Sequence, residues 1–367
     1  MKKILLPLAS FALVIPAYAL DGEGTKDNPF KITKIEDFAE METAPVGSYY
    51  ILENDIDATG GKYATPFQKT PGEIYLDGNY HIIKGLDSAM PNAGLFGLID
   101  GEIKNLGIEN AKVVDTGGGW GPAGIIAAYA GCNASMIIDN CYTTGSVNGY
   151  YSGGLVGGTK VGITITNCYS AADCTSGNGF AGGLLGCVNY AEGKTITANI
   201  SNSYASGEIN GKVMAGGLVG GNQQHQHPAT GSEVVNFNNV VAWNPTVSGG
   251  AAGMLMGVGA VAAEINEESG FYWEFLLLNN EDVENGKSRE ELEELVKTWQ
   301  AFTVAEDYDM PVLKWQVERP SSTIAEIAAE ENAPAEYFNL QGVRVANPDN
   351  GIYIVRRGAK VTKEVIR

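Results

Sequence analysis

The chain is short of histidine, of basic side chains and of long apolar runs, and each shortage removes a class of function. Only three histidines occur in 367 residues: His81, His225 and His227. His225-Gln226-His227 puts at most two imidazoles on one side of a strand, with no acidic partner fixed by the sequence. A loop between repeats is the plainer reading, and His81 reads as structural. No His-Glu-x-x-His helix, Gly-x-Ser-x-Gly elbow or phosphate loop is present, so the corresponding zinc-protease, hydrolase and nucleotide sites are not expected. Basic residues number 24 against 43 acidic ones, for a net charge of −19. Such a surface repels nucleic acid and anionic lipid. No stretch beyond the N-terminus is long and apolar enough to span a bilayer, so no transmembrane segment is expected.

What is present begins with a leader. Lys2 and Lys3, an apolar run from Ile4 to Pro16 and the small-x-small triplet Ala17-Tyr18-Ala19 read as a secretory signal over residues 1–19. Export across the inner membrane follows as an expectation, with display at the cell surface or release outside. Without the leader, residues 20–334 carry −24, whereas residues 335–367 carry six basic and three acidic side chains. No Asp-rich nonapeptide occurs, so no dedicated calcium site, other metal or cofactor is implied. The five cysteines are Cys132, Cys141, Cys168, Cys174 and Cys187. The odd count leaves at least one unpaired. Cys141 and Cys168 share one slot of the repeat, as a buried ladder or as a disulfide.

Six short runs recur along the middle of the chain: Gly94-Leu95-Phe96-Gly97, Gly124-Ile125-Ile126-Ala127, Gly154-Leu155-Val156-Gly157, Gly183-Leu184-Leu185-Gly186, Gly217-Leu218-Val219-Gly220 and Gly253-Met254-Leu255-Met256. Their starts lie 30, 30, 29, 34 and 36 residues apart, the mark of a stacked repeat. Asn105-Leu106, Asn140-Cys141-Tyr142, Asn167-Cys168-Tyr169, Asn202-Ser203-Tyr204 and Asn239-Val240 fall between them. Short alternating stretches such as Met136-Ile137-Ile138, Ile163-Thr164-Ile165 and Thr195-Ile196-Thr197 read as strands. No helical stripe interrupts residues 90–262. The expected fold is all-β: a right-handed parallel β-helix (solenoid) with a small mixed cap and a small C-terminal β module. Gly-Gly before an apolar pair, as at Gly153-Gly154, Gly182-Gly183 and Gly216-Gly217, is expected to turn with positive φ and to let backbones approach. Asn is expected at left-handed corners, with side chains bonded from one repeat to the next.

These runs resemble the GLUG motif of bacterial surface proteins, which include adhesins and some immunoglobulin A proteases. The lead-in fits as well: Gly22-Glu23-Gly24-Thr25-Lys26-Asp27-Asn28-Pro29-Phe30, Tyr50 to Asp57, and Asp77 to Leu86. Ala127 in the second run and Met254 and Met256 in the sixth depart from the pattern. The resemblance covers residues 21–262 and implies a β-helical extracellular protein with no reaction of its own. The tail is similar to the C-terminal sorting module of secreted Bacteroidetes proteins, in shortened form. It carries Asn339-Leu340-Gln341-Gly342-Val343-Arg344-Val345, Gly351-Ile352-Tyr353-Ile354-Val355 and a basic end. That likeness implies a type IX secretion machine as partner, with a hairpin turning near Arg357-Gly358.

The chain thus divides into a leader (1–19), an N-terminal cap (20–73), the repeat body (74–262), an acidic cap (263–318), a linker (319–335) and the sorting-like module (336–367). Glu264 to Glu294 holds eleven acidic and two basic residues. Within it Ser288 caps a helix, with Glu291 three residues on and Leu292, Leu295, Val296 and Trp299 on one face. The segment is expected to cover the open end of the stack. The functional expectation is a surface-displayed adhesin or surface antigen that binds a host or bacterial glycan or protein. The candidate ligand-binding residues are Trp120, Tyr150, Tyr151 and Phe180, an aromatic ladder just before the glycine runs. Two alternatives stand beside it. One is a glycan-cleaving lyase or hydrolase, which needs clustered carboxylates or a basic residue where Asp115, Asp139, Asp173, Glu192, Glu208 and Glu233 share no slot. The other is a scaffold alone.

Overall fold

The structure is a computed structural model. It describes residues 20–189, 193–223, 232–257, 264–267 and 269–319, and, further on, 336–338, 344–345, 351–357 and 360–366. The leader, His225, His227, most of the linker and the Asn339-to-Val343 part of the sorting-like motif lie outside these residues. The chain divides into two compact units, one up to Lys314 and one from Trp315.

The first unit is built on parallel pairing between repeats. Tyr142 aligns with Tyr169 and Tyr169 with Tyr204, while Met136, Ile163 and Ala198 form a second row. Side chains alternate in and out, most clearly in Tyr169–Ser176, where buried and exposed positions follow one another. Pairing begins before the glycine repeats, with Phe30–Ile32 on Ser48–Leu52 and Ser48–Leu52 on Gly72–Lys84. It continues beyond them, with Glu264–Glu267 and Gly270–Tyr272 on Ser232–Ala242.

The interior column follows from the glycine runs. Leu95, Ile125, Leu155, Leu184 and Leu218 are fully buried. Their backbones link from repeat to repeat: the Leu95 N–H donates to the Ile125 carbonyl at 2.9 Å, Leu155 to Leu184 at 3.0 Å and Leu184 to Leu218 at 2.9 Å. The glycines before them do not serve the expected positive-φ turn, for none of these pairs is in the left-handed region. They permit close approach instead: a Cβ on Gly182 would lie 2.2 Å from the Leu185 carbonyl and 2.3 Å from the Gly220 nitrogen. The left-handed corners belong to asparagine. Asn105, Asn140, Asn167, Asn202 and Asn239 have φ between 45° and 55°. Their side chains form a ladder: Nδ2 of Asn140 donates to Asn105, of Asn167 to Asp139, of Asn202 to Asn167 and of Asn239 to Asn202.

The expected right-handed parallel β-helix is corrected by the pairing pattern. One 24-stranded sheet contains a closed barrel of six parallel strands, and eighteen further strands stand outside it. The circuit runs from Phe96–Asp115 to Tyr142–Asn148, Tyr169–Ser176, Thr195–Ala205, Gly162–Thr166 and Met136–Asp139, and back to Phe96–Asp115. The cause is local. At Asn105 and Asn202 the strand passes the corner unbroken, so two long strands each join two ladders and close the ring. The all-β class stands.

The acidic segment, expected as an end cap, extends the pairing. Gly270–Tyr272 is still a rung, and Leu277–Leu278 pairs with Thr246 and Val247 on one side and with the short antiparallel strand Glu281–Asp282 on the other. The helix Arg289–Lys297 starts at Ser288 with both bonds of the capping box to Glu291. It buries Leu292 and Val296, and Trp299 just beyond its end is buried as well. Phe302 then lies against Tyr204 at 5.8 Å between ring centres, and the Tyr204 hydroxyl donates to the Pro311 carbonyl. The segment therefore packs beside a column in which Tyr142, Tyr169 and Tyr204 stack in succession, 5.1 and 4.9 Å apart.

The second unit carries an antiparallel four-stranded sheet of Glu336–Phe338, Arg344–Val345, Gly351–Arg357 and Lys360–Ile366. The last two form the expected hairpin, with Arg357 opposite Lys360.

Candidate binding surfaces

The four aromatic residues come together, but not as an outward ladder. Tyr150, Tyr151 and Phe180 are buried at 5%, 4% and 0% exposure, in a cluster with Cys187 and Met214. Tyr151 and Phe180 begin the short strands Tyr151–Gly153 and Phe180–Gly182, which stand next to each other in register. Their rings therefore pack on each other, 5.3 Å apart, and shut out solvent. Burial pushes the Tyr151 hydroxyl well above the ordinary tyrosine range. The expected open platform is corrected to an internal aromatic column with one exposed member.

That member is Trp120, 73% exposed, with its ring 4.9 Å from Tyr150. It ends a glycine loop in which Gly118 and Gly119 have φ of 87° and 84°, a conformation that suits glycine alone. Asp115 anchors the loop by accepting the Asn92 N–H at 3.1 Å and the Gly117 N–H at 3.2 Å. Burial raises its carboxyl, and these backbone bonds act in the opposite direction. The Asn178 amide borders Gly119. An exposed indole thus lies against Tyr150, on a loop that Asp115 anchors and the Asn178 amide borders.

A second surface escaped the motif reading. Outward positions align into one column through Tyr49, Tyr75, Glu102, Ile137, Thr164, Asn199, Asn236 and Asn266. A neighbouring column holds Asp139, Thr166, Ser201 and Asn238. The Asn236 Nδ2 donates to Asn199 at 2.7 Å, and Asn266 donates to Asn236 at 2.9 Å. Ser201 donates to Thr166 at 3.0 Å, and the Thr195 and Ser232 hydroxyls are 2.9 Å apart. The signal was in the sequence as period-two alternation of Thr, Asn and Ser with apolar residues. It marks strands first, so it did not stand out as a site.

The remaining candidates have structural partners. His81 Nδ1 lies 3.1 Å from the Asp55 carboxylate. Asp173 accepts the Glu208 N–H. Among the described residues no three His, Cys, Asp or Glu side chains group as metal ligands. All five cysteines are free thiols. The Cys141–Cys168 pair is a ladder and not a disulfide: the Cys141 N–H meets the Cys168 sulfur at 3.4 Å, while each thiol donates to carbonyls of its own corner.

No family model matches the chain, but in comparison with known proteins it shows likenesses to a curated relative and to a solved structure. Over 221 residues it is 29% identical to Halomucin of Haloquadratum walsbyi (strain DSM 16790 / HBSQ001), which covers 55% of this chain and 2% of that protein. The chain therefore spans only a small part of the length of that relative. The crystal structure of a "putative immunoglobulin A1 protease" from Bacteroides ovatus superposes with a TM-score of 0.66 at 25% identity, over 80% of this chain and 94% of the other. The all-β architecture is shared with that structure.

Proposed function

We propose that this chain is an exported, surface-displayed protein that acts by binding, an adhesin or surface antigen with a glycan or a surface protein as ligand. The observation that carries the reading is Trp120. A large apolar ring at 73% exposure loses water favourably only when a partner covers it. Its ring already rests against Tyr150, which packs in a buried cluster with Tyr151 and Phe180, so part of its freedom is lost before binding. A sugar ring stacks on such an indole, with the Asn178 amide bordering the same loop for its hydroxyls. The leader-like N-terminus and the partial likeness to Halomucin support an extracellular site of action. The basic C-terminal module is the address for the export machinery, a role favoured by its contrast with the acidic body.

The test is to screen the purified protein on glycan and surface-protein arrays while product release is monitored. Trp120→Ala is expected to weaken the leading interaction by about 2 kcal/mol, roughly thirtyfold in affinity, at parental melting temperature. Unchanged binding by the variant removes Trp120 from the site. Catalytic product release would replace the binding reading with the enzyme one.

A further inference from the structure

We infer that the outward face of the strands Gly162–Thr166, Thr195–Ala205 and Ser232–Ala242, with Asn266 at its end, is a second binding surface whose ligand is an extended, uncharged polysaccharide lying along the stack of strands. It stands on different residues from Trp120 and does not depend on that reading.

The first support is charge. Residues 20–334 carry −24, yet the outward side chains here are Thr164, Thr166, Thr195, Thr197, Asn199, Ser201, Ser232, Val234, Asn236, Asn238 and Asn266, none of them ionisable, with carboxylates only at the rim, Glu267 beside Asn266 and Asp139 beside Thr166. Water-facing strand positions tolerate Lys and Glu readily, so a face without charge inside an acidic protein is a distinct chemical patch. Amides and hydroxyls donate and accept at once, as sugar hydroxyls do. They also give up their water at far lower cost than a carboxylate or ammonium.

The second support is preorganisation. The bonds from Asn266 to Asn236 and from Asn236 to Asn199, and those from Ser201 to Thr166 and between Thr195 and Ser232, fix these side chains before any ligand arrives. Rotamer entropy that binding would otherwise cost has been lost on folding. A third support is shape. Asn199, Ser201, Asn236, Asn238, Asn266 and Glu267 border a shallow open hollow of about 610 Å³.

The axis of the ligand follows from the ladder. Equivalent groups recur once per strand, at the interstrand spacing of about 4.8 Å. That is close to the length one pyranose adds to an extended chain, so successive sugars would meet equivalent groups. Further along the same column, beyond Ile137 and Glu102, the Tyr49 and Tyr75 rings stack 4.7 Å apart. A polyanion is disfavoured by the charge of the body.

The experiment measures binding of the full chain to linear glucan, mannan and xylan by affinity electrophoresis and calorimetry, with polygalacturonate as the anionic control. The expected result is binding to at least one neutral polymer, unaltered between low and high salt, and none to polygalacturonate. Asn199→Asp with Asn236→Asp puts two charges on the column at almost unchanged shape, and is expected to weaken binding at least tenfold. Asn236→Asp alone is the second variant should the pair lower the melting temperature. Trp120→Ala is expected to leave this binding unchanged. The inference is overturned if no neutral polymer binds, if the Asp variants bind as the parent does, if only the polyanion binds, or if Trp120→Ala abolishes the same interaction. A change of mass that depends on this face without any polysaccharide would overturn it too, by marking the face as a contact between copies.

Discussion

Replacing Asn167 separates two contributions that the corner ladder combines. Asn167 sits at φ 51°, in the left-handed region. Its Nδ2 donates to Asp139 at 2.9 Å and its Oδ1 accepts from Asn202 at 3.4 Å. Asn167→Ala removes both bonds and forces a Cβ residue without a compensating side chain to stay left-handed. The conformational part is about 1 kcal/mol and the bonds contribute about 1 kcal/mol between them, because the corner is half-exposed and water replaces part of what is lost. The expected destabilisation is about 2 kcal/mol. Asn167→Gly removes the same bonds but adopts the left-handed region freely, at the smaller entropic cost of a glycine. It is expected to fall short of the Ala variant by about 1 kcal/mol. Urea unfolding at constant m-value measures both. Equal losses in the two variants would refute the conformational argument. No loss in either would refute a stabilising ladder.

Three further outcomes are expected. Leu184 is fully buried, so Leu184→Asp leaves a cavity and an unpaired carboxylate and should cost about 4 kcal/mol or more; a parental melting curve would show that the interior column is misassigned. Burial raises the acids Cys174, Cys187, Tyr63, Tyr204 and, to about 11, Cys132 above their ordinary values of 9.0 for Cys and 10.0 for Tyr. Above about pH 9 the unfolded chain therefore releases protons that the native state retains. Stability, complete below that pH, should fall by about 1.4 kcal/mol per pH unit for each group engaged, and a flat urea midpoint between about pH 8 and 10 would refute this. Deleting residues 336–367 should leave the melting of the first unit nearly unchanged and hold the protein inside the outer membrane; parental surface levels of the truncated chain would exclude the sorting role.

Much of this architecture was legible because it is written locally. Asn105, Asn140, Asn167, Asn202 and Asn239 recur at one place in each repeat, and a left-handed corner accepts few other residues, so the type predicted the backbone. Ser288 and Glu291 announced a helix start by the same logic. The hairpin of Gly351–Arg357 and Lys360–Ile366 was visible in its alternation and its turn. The glycine pairs were found but partly misread, since a glycine allows either a positive φ or a close neighbour and only the neighbours tell which. Gly182 proved to answer to Leu185 and Gly220.

The sequence by itself determined the strands, the corners and the apolar interior, because these depend on the side-chain chemistry of a few consecutive residues. The tertiary structure decided everything that depends on which strand lies beside which. It closed six strands into a ring, because Phe96–Asp115 and Thr195–Ala205 pass their corners unbroken and so belong to two ladders. It turned Tyr150, Tyr151 and Phe180 inward and left Trp120 outside, although all four precede their glycine runs at similar distances, since burial is set by the next rung and not by the chain neighbour. It also aligned Thr164, Asn199, Asn236 and Asn266, separated by dozens of residues, into one uncharged face. Register between distant segments is a property of the assembled sheet, and no local pattern specifies it.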